Sequence, residues 1–267
     1  MKSRRETMAV ARALRGLPIE AAPPSLLPAV LKRVGLGDAY WRLESPVGPV
    51  FVAHSKAGIS MVTRARSAED FERAFVRRFG RPVTAEKSVP PARVKALVRN
   101  MSGEGRRELD FDLRGLSEFE QAVLRKALEI PAGEVRPYGW IAKEIGHPGA
   151  VRAAGSALAK NPVPLLIPCH RVVRSDGHIG RYSLGGARNK RRLLEVEGAQ
   201  PELLERMAGS GVRYLGNAEK KYFCYPTCGG IATLVKSNTV RFRSEREAAA
   251  AGYHPCGDCR PPVAQAG

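Results

Sequence analysis

The sequence predicts an α+β protein in three parts: an antiparallel meander, a group of short helices, and a small cysteine-rich module near the C-terminal end. Three observations carry this. Strand-like runs separated by Gly- and Pro-containing turns fill residues 40–63. Helical patterns with start and stop signals fill most of residues 117–197. Four of the five cysteines fall into two close pairs, Cys224 with Cys228 and Cys256 with Cys259. The 267 residues, 43% of them hydrophobic, suffice for one large or two modest domains plus a small module.

The elements follow in order. A basic, Pro-containing lead runs to about Gly37, and within it Ser25–Val34 has one apolar side, made of Leu26, Leu27, Val30, Leu31 and Val34, as a short amphipathic helix would. Strands are predicted at Tyr40–Glu44, Pro49–Ala53 and Ile59–Thr63, with turns at Pro46–Gly48 and Lys56–Gly58. Helices follow at Ala68–Phe79 and Pro91–Asn100, and a strand at Glu108–Leu113 closes this region. Ser117-Glu118-Phe119-Glu120 has the form of a capping box. It opens a helix that should bury Phe119, Val123, Leu124 and Ala127 and stop before Pro131. Two short helices, Tyr138–Ile145 and Ala150–Lys160, flank the break Gly146-His147-Pro148-Gly149. This is a helix-turn-helix pattern, with Arg152 and Lys160 giving the second helix a basic surface. Val163–Ile167 is apolar throughout and should be buried. Ala187–Glu197 reads as a basic helix and Glu202–Gly211 as a helix and linker. A last module begins at Val212. The corresponding divisions are 1–37, 38–114, 115–200, 201–211 and 212–267.

Composition narrows the partners. There are 44 Lys+Arg against 26 Asp+Glu, a formal charge of +18, which predicts a polyanionic partner and salt-sensitive binding. Charge alone leaves an acidic membrane surface open. No stretch is apolar and long enough to span a bilayer. Residues 1–18 carry Lys2, Arg4, Arg5, Arg12 and Arg15 but no uninterrupted apolar run, so they do not read as a secretory signal. A cytoplasmic location with reduced thiols is expected, at the nucleoid if the source is bacterial.

Cys169 stands apart from the other cysteines, at the end of the buried run and beside His170. A buried cysteine is by default a small hydrophobe. Here Pro168 fixes the backbone before it, and His170 could favour the thiolate, which is the nucleophilic form. A cysteine protease would show the same pair.

The residues around Cys169 resemble a known family. Pro168-Cys169-His170-Arg171-Val172-Val173 is similar to the active-site motif of the O6-alkylguanine-DNA alkyltransferases. Asn161–Ile167, Gly133-Glu134-Val135 with Tyr138, and Gly180-Arg181-Tyr182-Ser183 extend the likeness, which runs from about Tyr40 to Gly198. The resemblance implies a ribonuclease-H-like N-terminal domain and a winged-helix-like catalytic domain. It implies irreversible, single-turnover transfer of a methyl or larger alkyl group from O6-alkylguanine, with O4-alkylthymine as a further substrate, to Cys169. No cofactor is needed, and the protein acts as a monomer on double-stranded DNA. In that reading His170 takes the thiol proton through a water, Glu197 orients His170, and Tyr138 assists the leaving guanine. Asn161 ties the recognition helix to the active-site run. Arg152 fills the gap left by the flipped base, and Ser183 bonds at O6. Backbone groups of Cys169 and Val172 read the base edge, and Tyr182, Ala150 and Gly155 belong to the same DNA-binding surface. Glu195 is read as a solvated helix carboxylate. The stretch Leu184-Gly185-Gly186 reads as one residue longer than in the family it resembles.

The cluster Cys224-x3-Cys228, 27 residues, Cys256-x2-Cys259 has metal-ligand spacing suited to four thiolates on zinc, with an iron–sulfur centre as the alternative. Phe223–Cys228 and Ala249–Pro261 resemble the zinc domain of the adaptive-response (Ada) protein. That resemblance implies either a methyl-phosphotriester acceptor at Cys224 or a structural, DNA-binding appendage. Tyr225 stands where the repair domain has Arg, and the order of the parts is reversed, which favours the appendage. Lys220, Lys221, Arg241, Arg243 and Arg260 would then contact phosphates. Two other functions stay open: a non-catalytic lesion binder, against which the retained Cys169 argues, and a zinc-dependent DNA-binding regulator.

Overall fold

The computed structural model describes residues 23, 26–34, 37–86, 88–103, 109–232 and 238–263. Most of the N-terminal lead and Glu108 lie outside the described residues. Helix α1 is Leu26–Arg33, inside the expected amphipathic stretch.

The meander forms as β1 (Asp38–Leu43), β2 (Val50–Ser55) and β3 (Gly58–Thr63), each pair antiparallel. A fourth strand, β4 (Val83–Ala85), was not expected; it runs parallel to β1 with Ala39 opposite Thr84. The sheet order is β3-β2-β1-β4. Of the predicted strand at Glu108–Leu113, the described residues 109–113 form one parallel bridge, Ile59 to Phe111, with hydrogen bonds from Ile59 N to Asp110 O and from Asp112 N to Ile59 O, both 2.8 Å. Gly58 makes this approach possible: its φ is 115°, and a Cβ there would stand 2.3 Å from the Asp110 carbonyl oxygen.

Alternation along the strands divides the sheet's two faces. Tyr40, Phe51, Ala53 and Met61 face helix α2 (Ala68–Phe79), which inserts Phe71 and Phe75. Ser67 caps this helix at its start and Gly80 at its end. Trp41, Val50, Val52 and Val62 face the other way and join the main core with α3 (Pro91–Met101).

The helical part begins with α4 (Glu118–Leu128), whose capping box forms in full between Ser117 and Glu120. It buries Val123, Leu124 and Ala127, but Phe119 is only half-buried, edge-on to His147 at 5.6 Å. The helix-turn-helix is α5 (Tyr138–Glu144) and α6 (Val151–Ala159). A two-residue ribbon, β5 (Arg136–Pro137) parallel to β6 (Val172–Val173), pairs the entry to α5 with the chain just after the lone thiol. Helix α7 (Gly186–Val196) packs behind it.

The stretch expected as helix and linker contains α8 (Pro201–Gly209), which buries Pro201, Leu204 and Ala208. Leu204 packs with Val135, Val173, Ile179 and Leu194. The C-terminal module is a second four-stranded sheet in the order β10 (His254–Pro255), β8 (Tyr222–Cys224), β7 (Tyr214–Asn217), β9 (Thr239–Phe242), with two short helices, α9 (Gly229–Ala232) and α10 (Glu245–Ala250). Its aromatic core, Tyr214, Phe223, Phe242 and Tyr253, is contiguous with the main core.

Candidate functional site

The apolar run Val163–Ile167 is buried as expected and is irregular in backbone. Leu165 takes a φ of 76°, so the run folds back on itself, with Ile167 N bonded to Val163 O at 2.9 Å. It delivers Cys169 to a single 3-10 turn, Cys169–Arg171, at the foot of α4 and α7. The thiol is 6% exposed.

Asn161, just after α6, closes this fold. Its Nδ2 donates to Cys169 Sγ at 3.2 Å and to Ile167 O at 3.0 Å, and its Oδ1 accepts from Val163 N at 2.9 Å. One amide thus binds the end of α6, the buried run and the thiol together. Burial pushes the Cys169 thiol up from its ordinary value; the Asn161 hydrogen bond and the charge of Lys190 act against burial. The expected lowering by His170 is therefore not the resting state.

His170 is wholly buried, and its Nε2 lies 2.9 Å from Glu197 Oε1. Burial lowers the imidazole's pKa, while Glu197 raises it. Among the described residues Nδ1 is buried without a protein partner, as is the Tyr182 hydroxyl, whose ring stands edge-on to His170 at 6.1 Å. Burial alone would raise the Glu197 carboxyl, but hydrogen bonds from His170 and Arg171 outweigh it and hold the group at about 2.

Two cations here escaped the sequence reading. Arg171 forks onto Glu197, Nε to Oε2 at 2.9 Å and Nη2 to Oε1 at 2.6 Å, and gives Nη1 to Ile130 O at 2.7 Å. Lys190 is completely buried, donates to Val172 O at 2.6 Å, and is lowered by desolvation to about 8. Its place in α7 held a signal: Lys190, Leu193 and Leu194 share one helix face, so a basic residue falls on the apolar stripe.

The remaining expected residues are distributed as follows. Tyr138 begins α5, half-buried; burial and then the charge of Cys169 raise its pKa, so it keeps its proton. Gly155 of α6 faces it, and a Cβ there would sit 3.8 Å from two Tyr138 ring carbons, an ordinary van der Waals contact. Arg152 is exposed on the first turn of α6, and Ala150 is the residue before that helix. Ser183 is exposed beside the buried Tyr182. Val172 is buried, and its carbonyl already accepts from Lys190, leaving one lone pair for another donor. Glu195 is exposed, as expected.

In the C-terminal module Cys224, Cys228, Cys256 and Cys259 converge, all buried, with their sulfurs within 4.8 Å of one another. Tetrahedral thiolates on zinc stand about 3.8 Å apart, so the donor set fits such an ion with small adjustment. Arg260 is not free for phosphate. It reaches Glu144 at 2.8 Å and Glu129 at 3.6 Å and lies over Trp140. Lys221 stacks on Tyr253, while Lys220, Arg241 and Arg243 are exposed. Among the described residues no helix is long and apolar enough to cross a membrane.

Comparison with known proteins agrees with this geometry. Residues 118–199 match the family profile for the DNA-binding domain of 6-O-methylguanine DNA methyltransferase, and residues 206–262 match that for the metal-binding domain of Ada. A methylated-DNA–protein-cysteine methyltransferase of Mycobacterium bovis is 36% identical over 159 residues, covering 59% of this chain and 91% of the relative. One from Methanothermobacter thermautotrophicus is 43% identical over 122 residues, 43% of this chain and 67% of the relative. The crystal structure of Mycobacterium tuberculosis OGT in complex with DNA is similar with a TM-score of 0.50 and 32% identity, over 63% of this chain and 98% of that one.

Proposed function

The chain belongs to the methylated-DNA–protein-cysteine methyltransferase family, and from that membership we infer that Cys169 is the residue that receives the alkyl group. The protein is a DNA-repair transferase that binds DNA and reverses alkyl damage by direct transfer. The observation that carries the assignment is the buried constellation Asn161–Cys169 beside His170–Glu197, at 3.2 and 2.9 Å.

The substrate is O6-alkylguanine in duplex DNA. Its base must leave the stack, at a cost of roughly a few kcal/mol, and Arg152 on the exposed face of α6 fills the gap. Cys169 then gives its proton, through a water, to His170 Nδ1, and Glu197 with Arg171 fixes the ring that receives it. The sulfur attacks the alkyl carbon; the S–C bond forms as the C–O6 bond breaks. Tyr138 donates to the guanine as negative charge develops on it. Ser183 bonds at O6, and the backbone of Cys169 and Val172, with Ala150, Gly155 and Tyr182, shapes the base site. The thioether is stable, so each chain reacts once. The transfer needs no cofactor, and one chain holds the whole site, which supports action as a monomer. We take the same reading of O4-alkylthymine as a further substrate.

Zinc is the metal we assign to Cys224, Cys228, Cys256 and Cys259, where it would supply folding energy to the module. Burial of all four ligands supports a structural site over a second acceptor at Cys224. We place the domain limits at 38–114, 115–200 and 212–267, with the protein in a reducing cytoplasm that keeps its thiols free.

Incubation with duplex containing O6-methylguanine, followed by peptide mass analysis, tests the assignment. One methyl on Cys169 is expected, with none in Cys169→Ala. An unmodified Cys169 after complete mixing with damaged duplex would sink it.

A further inference from the structure

One segment, residues 129–137, lies between the thiol relay and the four-cysteine site, and each side holds it. On the relay side, Ile130 O accepts from Arg171, which forks onto Glu197. Gly133 N donates to Glu197 Oε2 at 3.4 Å, and Arg136 and Pro137 pair with Val172 and Val173. Gly133 has a φ of 75°, and a Cβ there would stand 2.7 Å from Glu197 O, so the contact is close as well as polar. On the cysteine side, Val135 N donates to Thr227 Oγ1 at 2.8 Å, and Thr227 lies inside the turn that joins Cys224 to Cys228. Gly229 N, one residue past Cys228, donates to Glu134 Oε1 at 3.1 Å. The other oxygen of Glu134 binds Arg136, whose guanidinium lies 5.6 Å from the Tyr225 ring and 5.9 Å from the Trp140 ring.

We propose that Glu134, Val135 and Arg136 couple the metal site to the acceptor: the metal-ordered Cys224–Cys228 turn fixes this segment, and the segment fixes Glu197 against His170. The inference rests on the reading of Cys169, His170 and Glu197 as the acceptor relay. Glu134 and Arg136 are positioning residues; they touch neither the thiol nor the histidine. Without an ordered turn, Thr227 and Gly229 release the segment. Gly133 and Ile130 then no longer hold the Glu197–Arg171 pair in register, and the imidazole loses the fixed carboxylate that favours its charged form. The module is then part of the catalytic unit rather than an appendage beside it.

The test uses the zinc-loaded full chain and iodoacetamide as probe, with labelling of the Cys169 peptide followed by mass spectrometry across the pH range. Thr227→Val removes the acceptor for Val135 N and leaves all four cysteines. Glu134→Gln weakens the second link from outside the module. Both variants should move the midpoint of Cys169 labelling up by about half a pH unit or more. Neither should move it further in a Glu197→Gln background, because they act through Glu197. An unchanged midpoint in a zinc-retaining variant overturns the proposal, even if labelling becomes uniformly faster or slower. If Thr227→Val fails to hold zinc, Glu134→Gln decides. The readout does not depend on alkylguanine: a shifted midpoint with no methyl transfer would refute the acceptor reading alone, and transfer with an unshifted midpoint would refute the coupling alone.

Discussion

Glu197 is bound by more than a histidine. It accepts from His170 and twice from Arg171 while almost completely buried, so its ionised form is stabilised by three charge-assisted bonds. Its folded value of about 2 lies below the ordinary carboxylate value, so the stability it contributes is fully present above the unfolded pKa. That stability is lost as pH falls from about 4.5 through about 2, and its size is on the order of 3 kcal/mol. Glu197→Gln should therefore destabilise the protein near neutrality and show less loss between pH ~5 and ~2 than the parent, read by denaturant unfolding. Single-turnover methyl transfer should slow by about 10²-fold or more. Equal stability of the two proteins at neutral pH would refute this account of the carboxylate. The residues on either side of this pair show where sequence reading stops. Cys169, His170, Asn161 and Tyr138 stood out because the stretches that hold them are distinctive. Arg171 and Lys190 were not, because basic side chains read as surface until a fold places a carbonyl or a carboxylate against them.

Elements were legible where the signal is local. Helix α2 begins and ends where Ser67 and Gly80 cap it, and the capping box at Ser117 marks α4 to the residue. Strand β4 was missed because three residues pairing in parallel with β1, more than forty positions away, leave no periodic trace. The predicted strand at Glu108–Leu113 has the right alternation, but among its described residues it pairs only with Ile59, where Gly58 admits the backbone closely. Gly133 illustrates the same limit within the site. Its place in a Gly-Glu-Val motif was visible, while the contact that requires glycine lies across the fold at Glu197. Gly133→Ala should combine left-handed strain with a backbone clash, costing about 1–3 kcal/mol by denaturant unfolding. A variant as stable as the parent would mean that the loop relaxes freely and does not press on the relay.

At the scale of the whole molecule, the formal charge of +18 overstates what DNA can use. Arg136, Arg171 and Lys190 are buried and bound inside the protein, and Arg260 is tied to Glu144. What remains for phosphates is the exposed set around the helix-turn-helix and the module, among them Lys143, Arg152, Arg181, Arg188, Lys220, Arg241 and Arg243. If six or more of these engage phosphates together, affinity for undamaged duplex should fall by about a thousandfold between ~50 and ~200 mM salt. Arg241→Gln with Arg243→Gln should flatten that slope by about two contacts if the module lies along the same duplex as α6. The methyl transferred per Cys169 at saturating DNA should not change, because the chemistry follows binding and involves neither arginine. Fluorescence anisotropy across a salt series measures the slope, and an identical slope in the double variant would confine the DNA to the catalytic domain.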